Sequence, residues 1–236
     1  MTTTRSALPL GRRIVPLTHQ IIVPLQSGYL ADRPDAVATL ARLRRGAGKP
    51  PEDVPDLWGL VDTGALYEDL PPGTRPATQG AETALERAEN ALHVALTLWA
   101  LHQQSRREGM HRRDEPARPA GLGAAVRRLM PGQDIDEPLR RRLVRAGNAP
   151  DLTTLAQRLR DIVPLLRPAD IALDYALLAH QLYRWQQTGG REEVRRAWGR
   201  SFHTHRTREG DGDPPTDSAG SPGTPDLTGN TDKDVP

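Results

Sequence analysis

Arginine is the residue type in this sequence most clearly placed to bind a ligand, because it is concentrated where helical periodicity is also strong. Residues 124–148, AAVRRLMPGQDIDEPLRRRLVRAGN, place leucines and valines between arginines. A guanidinium is always charged, and its planar fork of N–H donors matches a phosphate group. The segment is therefore either a solvated surface or a surface that holds an anion. Its arginines are Arg127, Arg128, Arg140, Arg141, Arg142 and Arg145.

The helix expected over residues 136–146 favours the second interpretation. At about 100° per residue, its two leucines point one way and the arginines of its later turns point nearly the opposite way. A solvated helix face usually intersperses Glu among its basic residues, for pairing at i,i+4. Here Asp136 and Glu137 occupy only the first turn, and four arginines follow them. Arg127 and Arg128 end the preceding helix and are expected on the same exposed side.

The charge balance also suggests an anionic partner once the C-terminal segment is set apart. Residues 207–236 hold seven acids and two bases, with one Leu, one Val and no aromatic residue. Such a segment cannot bury enough apolar surface to offset its ordering entropy, so we predict a disordered tail. The remaining residues 1–206 carry 30 basic and 23 acidic groups, a formal charge of +7. A basic body favours nucleic acid as partner, although a GC-rich genome would also enrich arginine.

Catalytic and metal-binding patterns are missing from the sequence. The chain has no cysteine, which excludes disulfides, thiolate nucleophiles and cysteine metal sites. Its seven histidines show no metal-binding spacing, and there is no P-loop or GxSxG sequence. We therefore predict no enzymatic activity, no cofactor and no metal. The apolar runs are too short for a membrane span and no signal peptide is recognisable, so we expect a cytoplasmic protein without a membrane partner.

The elements that must position the arginines are predicted to be helices, because apolar residues recur at i, i+3, i+4 and i+7. Pro16 and Pro24 are expected to bend or divide the first helix, and Asp151 and Asp170 are the expected N-caps of two later ones. Short connections between amphipathic helices predict an all-α fold, a compact antiparallel helical bundle over residues 1–206. A second predicted helix lies within RPDAVATLARLRRGAGKPP and is ended by Gly46 and Gly48, and a short helix around VPDLWGLV follows it. The other predicted helices cover about residues 9–30, 81–104, 121–130, 136–146, 151–166, 170–187 and 190–202. Predicted loops cover 63–80 and 105–120, the second of them mobile.

Six ordered blocks resemble one known family. They read LARLRRGAGKPPEDVPDLWGLV, VALTLWALHQQS, GLGAAVRRL, LRRRLVRA, LDYALLAHQLYRWQ and VRRAWGRSF. In this order and with these gaps they resemble the CasB family, the small subunit of the type I-E CRISPR surveillance complex, Cascade. The similarity runs from about Val37 to Phe202, matches residues 1–35 poorly, and does not include the tail.

The resemblance implies an all-helical protein without enzymatic activity. Its partners would be the backbone and large subunits of Cascade and a second copy of itself, arranged head to tail. Family members use basic surfaces to stabilise the pairing of crRNA with target DNA and the displaced strand of the R-loop. Such contacts matter because R-loop opening is nearly balanced in free energy.

The resemblance also implies a set of nucleic-acid-binding residues. Arg44 and Arg45 stand in the first block, and Arg145 in the fourth, at basic family positions. The remaining basic positions are matched more loosely. Together the implied contacts are Arg44, Arg45, Arg127, Arg128, Arg141, Arg142, Arg145, Arg158, Arg160, Arg195 and Arg196. Aromatic residues fall mostly on apolar stripes, so we expect phosphate contacts rather than base stacking.

Two other functions remain open from the sequence. The helices over 121–130 and 136–146 could form a helix-turn-helix of a DNA-binding regulator, although acids in the first turn of the second helix disfavour base readout there. Alternatively, the protein could be a scaffold that contacts only proteins, with its arginines arising from genome composition.

Overall fold

The fold is all-α in the part of the chain that the computed structural model describes, which is residues 9–68, 76–130, 132 and 134–210. Eight helices and four short 3₁₀ turns follow one another there, and no strand is formed. The predicted all-α helical bundle is confirmed. The helices are α1 Leu10–Leu30, α2 Pro34–Leu43, α3 Gln79–Gln103, α4 Leu122–Arg128, α5 Glu137–Gly147, α6 Leu152–Leu166, α7 Tyr175–Trp185 and α8 Gly190–Gly210. The 3₁₀ turns are Arg44–Gly46, Pro51–Asp53, Pro55–Leu57 and Gly64–Leu66.

Helix α3 lies at the centre of the bundle and packs against α1, α2, α6 and α7. Its Trp99 is completely buried. The apolar stripes predicted for α6 and α8 face the same core. Leu159 of α6 is completely buried there, and Trp198 of α8 is almost completely buried. Each helix therefore gains most of its stability from burying one apolar face rather than from its own backbone hydrogen bonds.

Helices α4 and α8 pack closely against each other. A Cβ atom at Gly123 would lie only 2.0 Å from the carbonyl oxygen of Trp198, so glycine is required where the two backbones meet. Every residue from Leu122 to Arg127 is buried. Helix α4 is thus covered on all sides, which matters below for the arginines at its end.

The connection from α3 to α4, predicted as a mobile loop, is instead anchored in the core. Met110 is completely buried, and its carbonyl accepts a hydrogen bond from Leu173 N–H at 3.1 Å. Asp174 holds the connection from the other side, since its carboxylate accepts from Asp114 N–H at 2.8 Å. Gln26 on α1 adds a bond to His111 N–H at 2.8 Å. The mobility prediction is therefore wrong for these residues, because polar contacts between distant elements hold a segment with little local periodicity.

Three boundaries also differ from the predictions. Helix α1 continues through Pro16 and Pro24 without interruption. Asp170 is not an N-cap: it has a positive φ of 50°, and α7 is capped by Asp174, whose Oδ1 accepts from Ala176 and Leu177 N–H, both at 2.9 Å. Helix α8 continues to Gly210, past the predicted start of the tail at residue 207, and residues 211–236 lie outside the described residues. None of the described helices combines the length and the apolar character needed to cross a membrane.

Candidate nucleic-acid interface

Helix α5 presents arginines to solvent because its opposite face is anchored in the bundle. Leu143 is buried there, and the carboxylate of Asp136 caps the first turn by accepting from Leu139 N–H at 2.9 Å. The side chains of Arg141, Arg142 and Arg145 are exposed, as the periodicity predicted.

The carboxylates near α5 neutralise only its first turns. Glu137 accepts two hydrogen bonds of 2.9 Å from Arg140 and lies 3.8 Å from Arg141. The hydrogen bond from Arg140 lowers the pKa of Glu137. Among the described residues, Arg142 and Arg145 form no ion pair. Their charge is therefore available to an external anion.

The seam between α5 and α6 brings three guanidinium groups together. Arg158 of α6 donates from Nη1 to the backbone carbonyl of Arg145. Arg142, Arg145 and Arg158 line one shallow depression, together with Asp161, which forms no ion pair with any of them. Three cations against one unpaired carboxylate give the depression a net positive charge.

The other side of α6 meets the turn that carries Arg44 and Arg45. Gly48 has a φ of +78°, and a Cβ there would lie 2.9 Å from Cδ of Arg160, so the turn packs closely over that side chain. Arg44 is half-buried and Arg45 is exposed. Arg45 lies 3.9 Å from Asp56, a surface pair that contributes little to stability.

Helix α8 brings Arg195 to the C-terminal end of α5. Its Nη1 donates to Asn148 Oδ1 at 3.0 Å, and a Cβ at Gly147 would lie 3.1 Å from its Cγ. Arg196 is exposed beside it. Hydrogen bonds from Thr154, and then the nearby Arg158 and Arg191, lower the pKa of Asp151 at the start of α6.

These contacts link four elements in pairs, and we give the name arginine track to the arginines that these elements carry at or near the surface. It extends from the Arg44–Gly46 turn across α6 to α5 and the first turns of α8. Its members are Arg44, Arg45, Arg141, Arg142, Arg145, Arg158, Arg160, Arg195 and Arg196.

Two of the sequence-derived residues do not belong to this surface. Arg127 is only 1% exposed, so the expectation that it shares the exposed side is wrong. Its guanidinium donates to the carbonyls of Met130 at 3.3 Å and Gly132 at 2.8 Å, and it fastens the connection after α4. Arg128 is half-buried and donates to the carbonyl of Ala172 at 3.1 Å. Arg127 is buried because α4 is enclosed by the bundle, and the contact with Ala172 leaves Arg128 half-buried.

A second polar cluster, between α1, α7 and the segment before α4, was not anticipated from the sequence. The ligand-type atoms of His19, His111 and Asp174 lie within 4.8 Å of one another. His111 Nδ1 accepts from Tyr175 N–H at 3.1 Å, so the ring proton is on Nε2, which lies 2.8 Å from His19 Nδ1 and donates to it. Metal binding at that Nε2 would require an imidazolate, so the cluster is a hydrogen-bond network rather than a ligand set.

The geometry thus defines an all-α protein that carries exposed arginines on several of its helices. The chain belongs to the CRISPR-associated Cse2 family, whose family model matches residues 39–203. The start and end of this match agree closely with the resemblance found in the sequence.

Solved structures support the same assignment. The chain is 49% identical to CasB from Thermobifida fusca, covering 84% of this chain and 99% of that one with a TM-score of 0.66. A chain of a CRISPR RNA-guided surveillance complex is 20% identical, covering 84% and 99%, with a TM-score of 0.56. M. ruber CasB is 22% identical, covering 73% and 87%, with a TM-score of 0.50. The last two show a shared fold only, and no curated protein matches the chain significantly.

Proposed function

We propose that this protein is the non-catalytic small subunit of a type I-E Cascade complex and that it binds nucleic-acid phosphates along the arginine track. The observation that carries the proposal is the convergence of Arg142, Arg145 and Arg158, none of which forms an ion pair with a described residue. It occurs in a chain of the Cse2 family. Its partners are the backbone and large subunits, a second copy of itself, crRNA and both strands of the target DNA, and it acts in the cytoplasm.

Phosphate contacts of this kind suit a subunit that stabilises an R-loop. Opening the DNA duplex and forming the crRNA–DNA hybrid nearly cancel in free energy, so a few protein–phosphate contacts shift the balance. Each arginine that contacts a phosphate releases condensed counterions, and the contacts carry no base preference. The track therefore holds the crRNA–target hybrid and the displaced strand irrespective of their sequence.

The helix-turn-helix alternative is disfavoured by the packing of α4. A seven-residue helix buried under α8 cannot lie across a DNA backbone as the first helix of that motif does. The protein-only scaffold predicts that the charge of the track is irrelevant to R-loop formation, and the following experiment separates it from the proposed function.

The test is R-loop formation by the reconstituted complex. Arg142, Arg145 and Arg158 are replaced together by Gln, and the matched control replaces Arg12, Arg107 and Arg140, which are exposed and outside the track. Both variants lose the same formal charge. We expect the track variant to need at least about tenfold more complex for half-maximal R-loop formation, and the control to match the wild type. Equal R-loop formation by both variants would contradict the proposed function and support the protein-only scaffold.

A further inference from the structure

Trp58 is an exposed indole held in one position. Trp58 is 70% exposed to solvent, whereas the other three tryptophans of the chain are at most 2% exposed. The indole Nε1 donates to the carbonyl of Pro51 at 3.3 Å, which fixes the ring over the surface. A large apolar ring kept in water at a fixed angle is a common feature of contact sites.

Two adjoining cavities flank this ring. Their volumes are about 390 Å³ and 280 Å³. Pro51, Trp58, Glu89 and Asn90 line both of them. Together they form a groove between α3, the 3₁₀ turns and the start of α6, which we call the Trp58 groove.

The charge of the Trp58 groove is opposite to that of the arginine track. Glu52, Glu86 and Glu89 line the larger cavity, and Lys49 is the single basic residue there. None of these glutamates forms an ion pair with a described residue. Glu89 is held in place by a 2.6 Å hydrogen bond from the hydroxyl of Tyr67. The groove thus combines a fixed indole, apolar walls and carboxylates that form no ion pair within the described part of the chain.

We propose that the Trp58 groove docks an arginine- or lysine-bearing segment of a partner protein. The inference rests on the proposed function in that the partner is another subunit of the same complex, of a different kind from this chain. Trp58 offers the aromatic face that binds cations best, and the glutamates accept charge-assisted hydrogen bonds from a guanidinium or ammonium. The apolar walls accommodate the methylene stem of the same side chain. Three carboxylates repel a phosphate backbone, so the groove favours a basic protein segment over nucleic acid.

The direct test uses the emission of Trp58 as the readout, since it is the exposed tryptophan. The full chain is titrated with a hexa-arginine peptide and, separately, with single-stranded DNA. The groove variant is Glu86→Gln with Glu89→Gln, and the matched control is Glu108→Gln with Glu192→Gln, which are exposed and outside the groove. We expect saturable binding of the peptide that is about tenfold weaker in the groove variant and unchanged in the control. An emission change with DNA but not with the peptide would overturn the proposal and make the groove a nucleobase site. Equal peptide binding by both variants, or no binding by the wild type, would also overturn it.

A second measurement follows assembly of the complex. We expect Trp58→Ala to lower incorporation of this subunit at limiting concentration, while the triple track variant incorporates normally and fails in R-loop formation. Normal incorporation of Trp58→Ala overturns the groove proposal alone, and normal R-loop formation by the track variant overturns the proposed function alone. If sedimentation shows that the groove variant instead abolishes a homodimer of the isolated chain, the occupant is a second copy and the proposal is wrong.

Discussion

Arg158 of α6 donates a hydrogen bond from its guanidinium to the backbone carbonyl of Arg145, in the last turn of α5. The carbonyl of a C-terminal turn lacks a helical partner, and it attracts cations through the helix dipole. The contact fixes Arg158 beside Arg142 and Arg145. Three like charges are thereby brought close together without a paired carboxylate, an arrangement that stabilises a bound anion.

Replacing Arg145 by Gln should weaken nucleic-acid binding through a loss of counterion release. We expect the slope of log affinity against log salt to decrease by about one unit. Arg140→Gln is the matched control, because Arg140 lies on the same helix but is already paired with Glu137. Fluorescence titration of labelled DNA from low to moderate salt provides the slopes. Identical slopes for the two variants would show that the phosphate contacts lie elsewhere.

Arg127→Ala should affect stability rather than binding. The substitution leaves a cavity in the core and removes the donors for the carbonyls of Met130 and Gly132. We expect a loss of about 3 kcal/mol in the free energy of unfolding, measured by urea denaturation. The salt slope for DNA should remain that of the wild type. A lower salt slope for DNA binding at unchanged stability would instead show that Arg127 contacts nucleic acid.

Gly123→Ala should be far more disruptive than Gly199→Ala. The added Cβ at Gly123 meets the backbone oxygen of Trp198 at 2.0 Å, so α4 and α8 must separate, at a cost of about 3 kcal/mol or more. At Gly199, in the facing helix, the Cβ meets nothing within 4 Å. There alanine should stabilise the helix by about 0.5 to 1 kcal/mol. Thermal denaturation of both variants tests the prediction, and similar shifts in Tm for the two would contradict the close helix contact.

Stability should decrease on acidification because of two buried neutral histidines. Burial lowers the pKa of His102 to about 3 and that of His111 to about 4, from an ordinary value of 6.5. The positive charges of Arg167 and Arg106 lower the pKa of His102 further, and the carboxylate of Asp170 raises it. For His111, the carboxylate of Asp174 raises the pKa, whereas His19 and Arg113 lower it further. The unfolded chain therefore binds more protons than the folded one below pH 6.5, and the free energy of unfolding decreases as the pH falls toward 4.

The expected decrease is about 2 kcal/mol for each histidine between pH 6.5 and pH 5. Urea denaturation across this range measures it. His111→Gln should lower stability at neutral pH and make the pH dependence shallower, since it removes one of the two groups. A stability that is constant or increasing on acidification would contradict the buried, neutral state of these rings.

Much of the fold and part of the candidate site could be predicted from the sequence. The apolar stripe of α6 and the N-cap at Asp151 depend on local periodicity and local hydrogen bonding, which sequence patterns report directly. The exposed face of α5 follows from the same periodicity. The anchored segment before α4 could not be found this way, because Asp114 and the Asp174 carboxylate that holds it are 60 residues apart in the sequence.

The sequence by itself determined that the chain is helical and basic and which face of each helix is apolar, since these properties depend on neighbours three or four residues apart. Only the tertiary structure decided which of the polar faces stay exposed. Arg127 and Arg145 both occupy the last turn of a helix, yet the first is buried in the bundle and the second lies in solvent. The difference arises from the close approach of two backbones at Gly123, a long-range contact that no local pattern of residues specifies.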